Sequence, residues 1–167
     1  ITTVPIPIIR TGRASAIRSG SDLTARDYVK APAEIYRQSF ATIEAEADLA
    51  RLPSSRRKIA RRMIHACGMT DLVADIAWEC DPVAAARAAL AAKAPIFCDA
   101  QMVASGIIRD RLRGSDIVCT IGDPRVADLA QQLGTTRSAA QVELWRDRLA
   151  GAIVAIGNAP TALYHLI

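Results

Sequence analysis

The sequence predicts an α/β fold: a three-layer, Rossmann-like arrangement in which a mostly parallel sheet is flanked by helices. Three short apolar segments, 95–98, 116–121 and 151–156, carry this prediction. Their hydrophobic residues are continuous or nearly so, as in strands that are covered on both faces. Helical sequence follows each segment, and strands that alternate with helices favour a parallel sheet with right-handed crossovers.

Three helices are predicted before the first strand. Apolar residues recur at helical spacing through 34–50, and Pro53 ends that run. A second helix is predicted over 55–67, with Gly68 at the position of a C-terminal cap. The alanine-rich segment 82–92 predicts the third helix because it opens with a proline, which is favourable in a first turn.

The helices that follow the strands complete the alternating pattern. They are predicted over 100–109, 125–133, 137–149 and 160–167. Thr135 and Thr136 both precede the helix over 137–149, and either side chain is suited to cap it. No internal repeat accompanies this pattern.

Length and composition indicate one folded domain with an arm. The chain has 167 residues, of which 51% are hydrophobic and 23% charged, which excludes a wholly disordered protein. Residues 1–28 show no sustained period, so we expect an extended or mobile N-terminal arm before a domain over 29–167. No apolar stretch approaches the roughly 18 residues of a membrane span. We therefore expect a soluble, cytoplasmic protein with no membrane partner.

Cofactor and metal signatures are absent from the sequence. It contains no GxGxxG, no Walker loop and no HExxH segment. The four cysteines lie 13, 18 and 21 residues apart, without the short paired spacing of zinc or redox sites. We therefore expect no cofactor and no metal, and we interpret the cysteines as reduced and mostly buried.

The positive charge is concentrated in the first part of the chain. Residues 1–62 hold 12 basic and 6 acidic residues, whereas 63–167 hold 9 and 11. The basic run over 56–62 is compatible with nucleic-acid binding or with a solvated helix face. Because only 4% of the residues are aromatic, few rings are available to stack on the bases of a single-stranded nucleic acid. We expect no nucleic-acid partner.

Polar side chains follow the three predicted strands where each strand ends. Asp99 follows the first strand, Thr120 the second and Asn158 the third. Ligands of open parallel sheets bind beyond the carboxyl ends of the strands, so these residues are candidates for a binding site. Asp and Asn at such places are also ordinary helix caps, and both interpretations remain open for each residue.

His65 is a candidate for proton transfer. It lies in the last turn of the second predicted helix, where the helix dipole favours the imidazolium, while Arg61 and Arg62 favour the neutral ring. A histidine between such opposing influences suits a proton donor or acceptor, although a structural role fits equally. On the preceding helix, Tyr36 and Ser39 share one face, where they can orient a polar ligand or simply be solvated.

Five segments are informative when they are taken together. They read IYRQSF (35–40), RMIHACG (62–68), APIFCDAQM (94–102), GTTRSAA (134–140) and VAIGNAPTAL (154–163). In this order and spacing, from about Asp27 to Ile167, the chain resembles the precorrin-8X methylmutase family, also called the precorrin isomerases.

The resemblance implies an enzyme of cobalamin (vitamin B12) biosynthesis that works without a cofactor. It implies an isomerase that moves a methyl group from C-11 to C-12 of a corrin precursor, converting precorrin-8X to hydrogenobyrinate. The family's catalytic histidine, a proton donor or acceptor, falls on His65, and substrate-contacting positions fall on Ser39 and Arg137. Four further substrate-binding residues are predicted from helix-face and strand-end positions: Tyr36, Asp99, Thr120 and Asn158.

The resemblance also implies the partners of the chain. We expect a corrinoid substrate and a homodimer with the active site close to the subunit boundary. Two alternatives remain open: the cobalt-precorrin-8 methylmutase of the anaerobic route, and a corrinoid-binding protein of the same fold without turnover. Members of the family usually continue beyond the motif that ends at Leu163, so we expect the family's C-terminal segment to be missing from domain 29–167.

Overall fold

The computed structural model describes residues 29–167, and this part of the chain divides into two compact units over 29–79 and 80–167. The predicted arm over 1–28 lies outside the described residues. Within the described part, no helix is both long enough and apolar enough to cross a membrane.

Two helices form the first unit. Helix α1 spans Pro32–Glu46 and α2 spans Ser54–Cys67, with short 3₁₀ helices at Leu49–Arg51 and Thr70–Ala74. Helix α2 ends as predicted, because Gly68 takes the left-handed conformation (φ 72°) and its amide donates to the carbonyl of Ile64 at 2.7 Å.

The end predicted for α1 was wrong, since the helix stops at Glu46 and not at residue 50. Ala47 is extended (ψ 134°), and the chain then turns through the 3₁₀ helix. This turn buries both Ala47 and Leu49 in one apolar cluster with Ile43 of α1 and Ile64 of α2. The cluster fixes α1 against α2, which decides which of their polar side chains meet.

The second unit contains the sheet. Its elements are α3 (Pro82–Ala91), β1 (Ile96–Cys98), α4 (Gln101–Gly106), β2 (Ile117–Val118), α5 (Arg125–Gln132), α6 (Arg137–Ala140), β3 (Ile153–Ala155) and α7 (Pro160–Leu166). The strands are parallel in the order β2-β1-β3. The predicted α/β class with a parallel sheet is therefore confirmed.

Strand β1 has helices on both of its faces. Ile96 and Cys98 belong to an apolar cluster that includes residues of α3 and α4. Phe97, which points to the opposite face, belongs to a cluster with Trp145 and with Ala162 of α7. The rings of Phe97 and Trp145 are stacked, with centroids 5.2 Å apart. The second unit thus has the predicted three layers.

The two outer strands are less buried than the central strand. All three residues of β1 are buried, but those of β2 and β3 are only partly buried. A central strand is covered on both edges by its neighbours, whereas each outer strand has a neighbour on one edge only. Residues of β2 and β3 nevertheless belong to the apolar clusters on both sides of the sheet, so the predicted cover on both faces is confirmed for all three strands.

The helix predicted over 137–149 was also partly wrong. The α-helix ends at Ala140, and a 3₁₀ helix continues over Gln141–Arg148. Side chains three residues apart line up on a 3₁₀ helix, so Val142 and Trp145 are buried on the same side. Similarly, α4 ends at Gly106 and not at residue 109, because Ile107 is extended.

The cysteines are free thiols, as predicted, but most of them are not buried. Cys67 and Cys80 are exposed, Cys119 is partly exposed, and only Cys98 is buried. Cys98 lies on the central strand, where burial raises the pKa of its thiol. The thiol of Cys98 therefore stays protonated and serves as a small packing group.

Candidate functional site

Helices α1 and α2 bring Ser39 and His65 into direct contact. The Oγ atom of Ser39 lies 2.7 Å from Nδ1 of His65, and both side chains are partly buried. A hydrogen bond of this length fixes the orientation of the imidazole ring. Because the bond occupies Nδ1, the nitrogen left for a second partner is Nε2.

Two aromatic rings of α1 pack on the imidazole. The ring centroid of Tyr36 lies 5.0 Å from that of His65, tilted by 33°, and Phe40 approaches at 5.2 Å with an interplanar angle of 69°. Tyr36, Ser39 and Phe40 are at positions i, i+3 and i+4, so one face of α1 supplies all three contacts. The structure thus brings together the predicted residues His65, Ser39 and Tyr36.

Two arginines of α2 contact these aromatic rings. The guanidinium carbon of Arg61 lies 4.7 Å from the ring centroid of Phe40, and that of Arg62 lies 5.0 Å from Phe40 and 5.5 Å from Tyr36. Arg61 also donates to Oε1 of Glu44 at 2.8 Å. Sequence reasoning missed both stacking contacts and the role of Phe40. The spacing of the residues was an available signal. Arg62 precedes His65 by three residues, which places both on one face of α2.

At the end of β1, Asp99 is fully buried and holds the loop between β3 and α7. Its Oδ1 accepts the backbone N–H of Gly157 at 3.2 Å, and its Oδ2 accepts those of Asn158 and Ala159 at 2.9 and 2.6 Å. The carboxylate is therefore engaged with backbone amides and has no exposed surface. The side chain of Asn158 is exposed.

A buried chain of hydrogen bonds joins Thr120 to Asp99. Trp145 donates from Nε1 to Oγ1 of Thr120 at 2.8 Å, and Thr120 donates to Oε1 of Gln141 at 3.3 Å. Gln141 in turn donates from Nε2 to the carbonyl of Asp99 at 2.7 Å. Both Gln141 and Trp145 are fully buried, and sequence reasoning identified neither. The predicted strand-end residues Asp99, Thr120 and Asn158 thus meet at one edge of the sheet.

Arg137 lies beside this network and is exposed. One of its terminal nitrogens donates to the carbonyl of Ile121, next to Thr120, at 2.7 Å. Of the two candidate caps, Thr136 is the residue that caps α6, because its Oγ1 accepts the amide of Ala139 at 3.2 Å. The guanidinium keeps further N–H groups that are available to an anion.

Sequence comparison assigns most of the described region to one family. The family model CbiC, described as precorrin-8X methylmutase, matches residues 34–167. The chain belongs to the precorrin-8X methylmutase family. Precorrin-8X methylmutases are isomerases of cobalamin biosynthesis, so the predicted family and enzyme class are confirmed.

Individual proteins that are similar to this chain match most of its length. The precorrin-8X methylmutases of Pseudomonas aeruginosa and of a Sinorhizobium species are 53% and 51% identical to it over 142 residues, covering 84% of this chain and 68% of each relative. The cobalt-precorrin-8 methylmutase of Salmonella typhimurium is 33% identical and covers 84% of this chain and 70% of that protein.

A solved structure gives the same assignment. The precorrin-8X methylmutase of Thermus thermophilus has a TM-score of 0.70 with this chain at 35% identity, covering 80% of this chain and 66% of that one. The chain thus spans about two thirds of the length of these relatives.

Proposed function

We propose that this chain is a precorrin-8X methylmutase, which moves a methyl group from C-11 to C-12 and converts precorrin-8X to hydrogenobyrinate. The observation that carries the proposal is the 2.7 Å hydrogen bond between Ser39 and His65. It holds one nitrogen of a histidine and leaves the other for a substrate. Membership in the precorrin-8X methylmutase family supplies the identity of that substrate.

His65 is the catalytic residue in this proposal and acts through Nε2. The imidazolium donates the Nε2 proton to the conjugated ring, which raises the electron demand of the ring, and the methyl group migrates with its bonding pair. Substrate and product are isomers, so the ring returns the proton to Nε2 after the shift. The same histidine is therefore donor and then acceptor, and no co-reactant is consumed.

Ser39 keeps the proton-exchanging nitrogen the same throughout the reaction. When Oγ accepts from Nδ1–H, the neutral ring that remains after proton donation has its lone pair on Nε2. The proton then returns to the atom that released it. Ser39 is thus a positioning residue in the proposal, in addition to its predicted contact with substrate.

The remaining predicted residues are assigned to substrate binding. The corrin precursor carries acetate and propionate carboxylates, which guanidinium groups bind through paired hydrogen bonds. Arg137 is exposed and suited to this role, as are the exposed side chains of Tyr36 and Asn158. The buried Asp99 and the partly buried Thr120 act indirectly, by holding the loop at 157–159.

We further propose a homodimer in the cytoplasm and a substrate without cobalt. The dimer rests on the family resemblance, and sedimentation velocity of the purified protein tests it, whereas the compartment is the one expected from the sequence. The preference for a cobalt-free substrate rests on identity: 51–53% to precorrin-8X methylmutases, against 33% to the cobalt-precorrin-8 methylmutase of Salmonella typhimurium.

The decisive experiment incubates the purified protein with precorrin-8X and, separately, with cobalt-precorrin-8, while absorbance and mass are followed. We expect conversion of precorrin-8X to an isomer of unchanged mass. His65→Gln should lower kcat by about 10²- to 10⁴-fold, the usual worth of a positioned proton donor. His165→Gln is the matched control and should retain activity.

Each contrary outcome has a separate meaning. An active His65→Gln variant would remove His65 from the mechanism and leave the methylmutase activity in place. Tight binding of hydrogenobyrinate without conversion of precorrin-8X would favour a corrinoid-binding protein. Faster turnover of cobalt-precorrin-8 would assign the chain to the anaerobic reaction.

A further inference from the structure

Arg62 lies in the immediate surroundings of His65 but has no place in the proton transfer. It precedes His65 by three residues on α2, and its side chain is exposed. Its guanidinium carbon lies 5.0 Å from the ring centroid of Phe40 and 5.5 Å from that of Tyr36. These are the two rings that pack on the imidazole of His65.

The neighbouring Arg61 provides an internal comparison. Arg61 stacks on the same Phe40 ring, but its charge is compensated by an ion pair with Glu44 at 2.8 Å. Within residues 29–167, the salt bridges include that of Arg61 and none of Arg62. The positive charge of Arg62 is thus exposed, uncompensated by a carboxylate of this part of the chain, and held next to the candidate catalytic histidine.

We propose that Arg62 is a further substrate-binding residue, which holds one carboxylate of the corrinoid beside His65. This inference rests on the function proposed above. The rings of Phe40 and Tyr36 contact the guanidinium through cation–π interactions, whereas a carboxylate binds a guanidinium through two parallel N–H···O bonds. Arg62 is exposed and its guanidinium has five N–H donors, so the ring contacts are compatible with carboxylate binding.

The stacking also explains why an arginine suits this position. The contacts with Tyr36 and Phe40 restrict the Arg62 side chain, so less side-chain freedom is lost when a carboxylate binds. A lysine supplies the same charge but has no plane to stack and no fork of donors. The geometry therefore points to recognition of one carboxylate in a fixed direction, beyond a general attraction between opposite charges.

The test compares Arg62→Gln and Arg62→Lys with Lys58→Gln. Lys58 is exposed on the same helix one turn earlier, so its substitution removes the same charge close by. For Arg62→Gln we expect KM for precorrin-8X to rise about tenfold or more, with kcat within about twofold, as for a lost charge-assisted contact. Arg62→Lys should show an intermediate KM, and Lys58→Gln should match the wild type. Titration with hydrogenobyrinate should show the same order of affinities.

Three results would overturn the role of Arg62. They are an unchanged KM and product affinity in Arg62→Gln, an equal loss in Lys58→Gln, and a fall in kcat at constant KM. If circular dichroism shows that Arg62→Gln does not fold, the product affinity of Arg62→Lys decides in its place. A wild-type protein that binds hydrogenobyrinate without converting precorrin-8X contradicts the proposed function alone, since the titration still measures Arg62. A wild type that does neither contradicts both.

Discussion

Ser39 has two possible roles, and they predict different kinetics. The family resemblance implied a contact with substrate, whereas the structure places its Oγ 2.7 Å from Nδ1 of His65. A residue that contacts only substrate changes KM when it is removed. A residue that orients the proton-exchanging ring changes kcat.

We expect Ser39→Ala to lower kcat for precorrin-8X by about 10- to 100-fold, the rate equivalent of losing a hydrogen bond to a charged group. KM should stay within about twofold. Ser39→Thr keeps the hydroxyl and should restore most of the rate. Steady-state kinetics of the three proteins check this. An increase in KM alone would show that Ser39 acts only as a substrate contact.

The contact between Ser39 and His65 was not predictable from the sequence, although both residues were. The two are 26 positions apart, and their meeting depends on how α1 packs on α2 through residues such as Ile43 and Ile64. Gln141 was even harder to predict, because neither its contact nor the residue itself was identified from the sequence. Its amide donates to a carbonyl 42 residues away, and a polar residue does not contribute to an apolar periodicity.

At the scale of the elements, the loop between β3 and α7 is held by the side chain of Asp99. Asp99 accepts three consecutive amides of this loop, at Gly157, Asn158 and Ala159. A buried carboxylate is stable in the fold only when such donors satisfy it, and the amides in turn have lost their water.

We expect Asp99→Asn to lower the free energy of unfolding by about 2–3 kcal/mol, because the new NH₂ group faces N–H donors and leaves amides unsatisfied. Urea denaturation followed by circular dichroism measures this change. Asp110→Asn, at an exposed position, is the matched control and should change stability by less than about 0.5 kcal/mol. A similar small effect at Asp99 would contradict its role as the anchor of the loop.

Local signals decided which elements were predicted well. Helix α2 was predicted within one residue because Pro53 and Gly68 mark its ends in the sequence itself. Helix α3 begins at Pro82, and Asp81 caps it by accepting the amides of Val83 and Ala84. The change from α to 3₁₀ geometry at Gln141 has no such mark. It depends on contacts with distant parts of the second unit, such as the stacking of Trp145 on Phe97.

At the scale of the whole molecule, the ion-pair cluster of Glu143, Arg146 and His165 links stability to pH. Hydrogen bonds from Arg146, and then from His165, lower the pKa of Glu143 from its usual 4.5 to about 2. The contact with His165, at 2.6 Å, joins the 3₁₀ helix at 141–148 to α7. A carboxylate with a lowered pKa stabilises the fold above its unfolded pKa, and this contribution is lost as the pH falls through its folded pKa.

We therefore expect the stability difference between wild type and Glu143→Gln to be full at pH values just above 4.5. It should shrink progressively as the pH falls towards 2. Arg146→Gln removes the main cause of the shift, so it should reduce the part of acid stability that depends on Glu143. Urea denaturation at a series of pH values measures all three proteins. A wild-type advantage that is independent of pH across this range would contradict the assignment.

The contacts of Asp99 also limit when the second unit can fold during synthesis. The amides that it binds lie 58 to 60 residues further along, and the strand β3 that pairs with β1 lies just before them. During translation, β1 and the carboxylate of Asp99 therefore leave the ribosome long before β3 and the loop amides have been synthesised. Until then the nascent segment has an apolar strand open on one edge and a solvated anion beside it. The sheet of the second unit can close only late in synthesis, after Ala159 has been added.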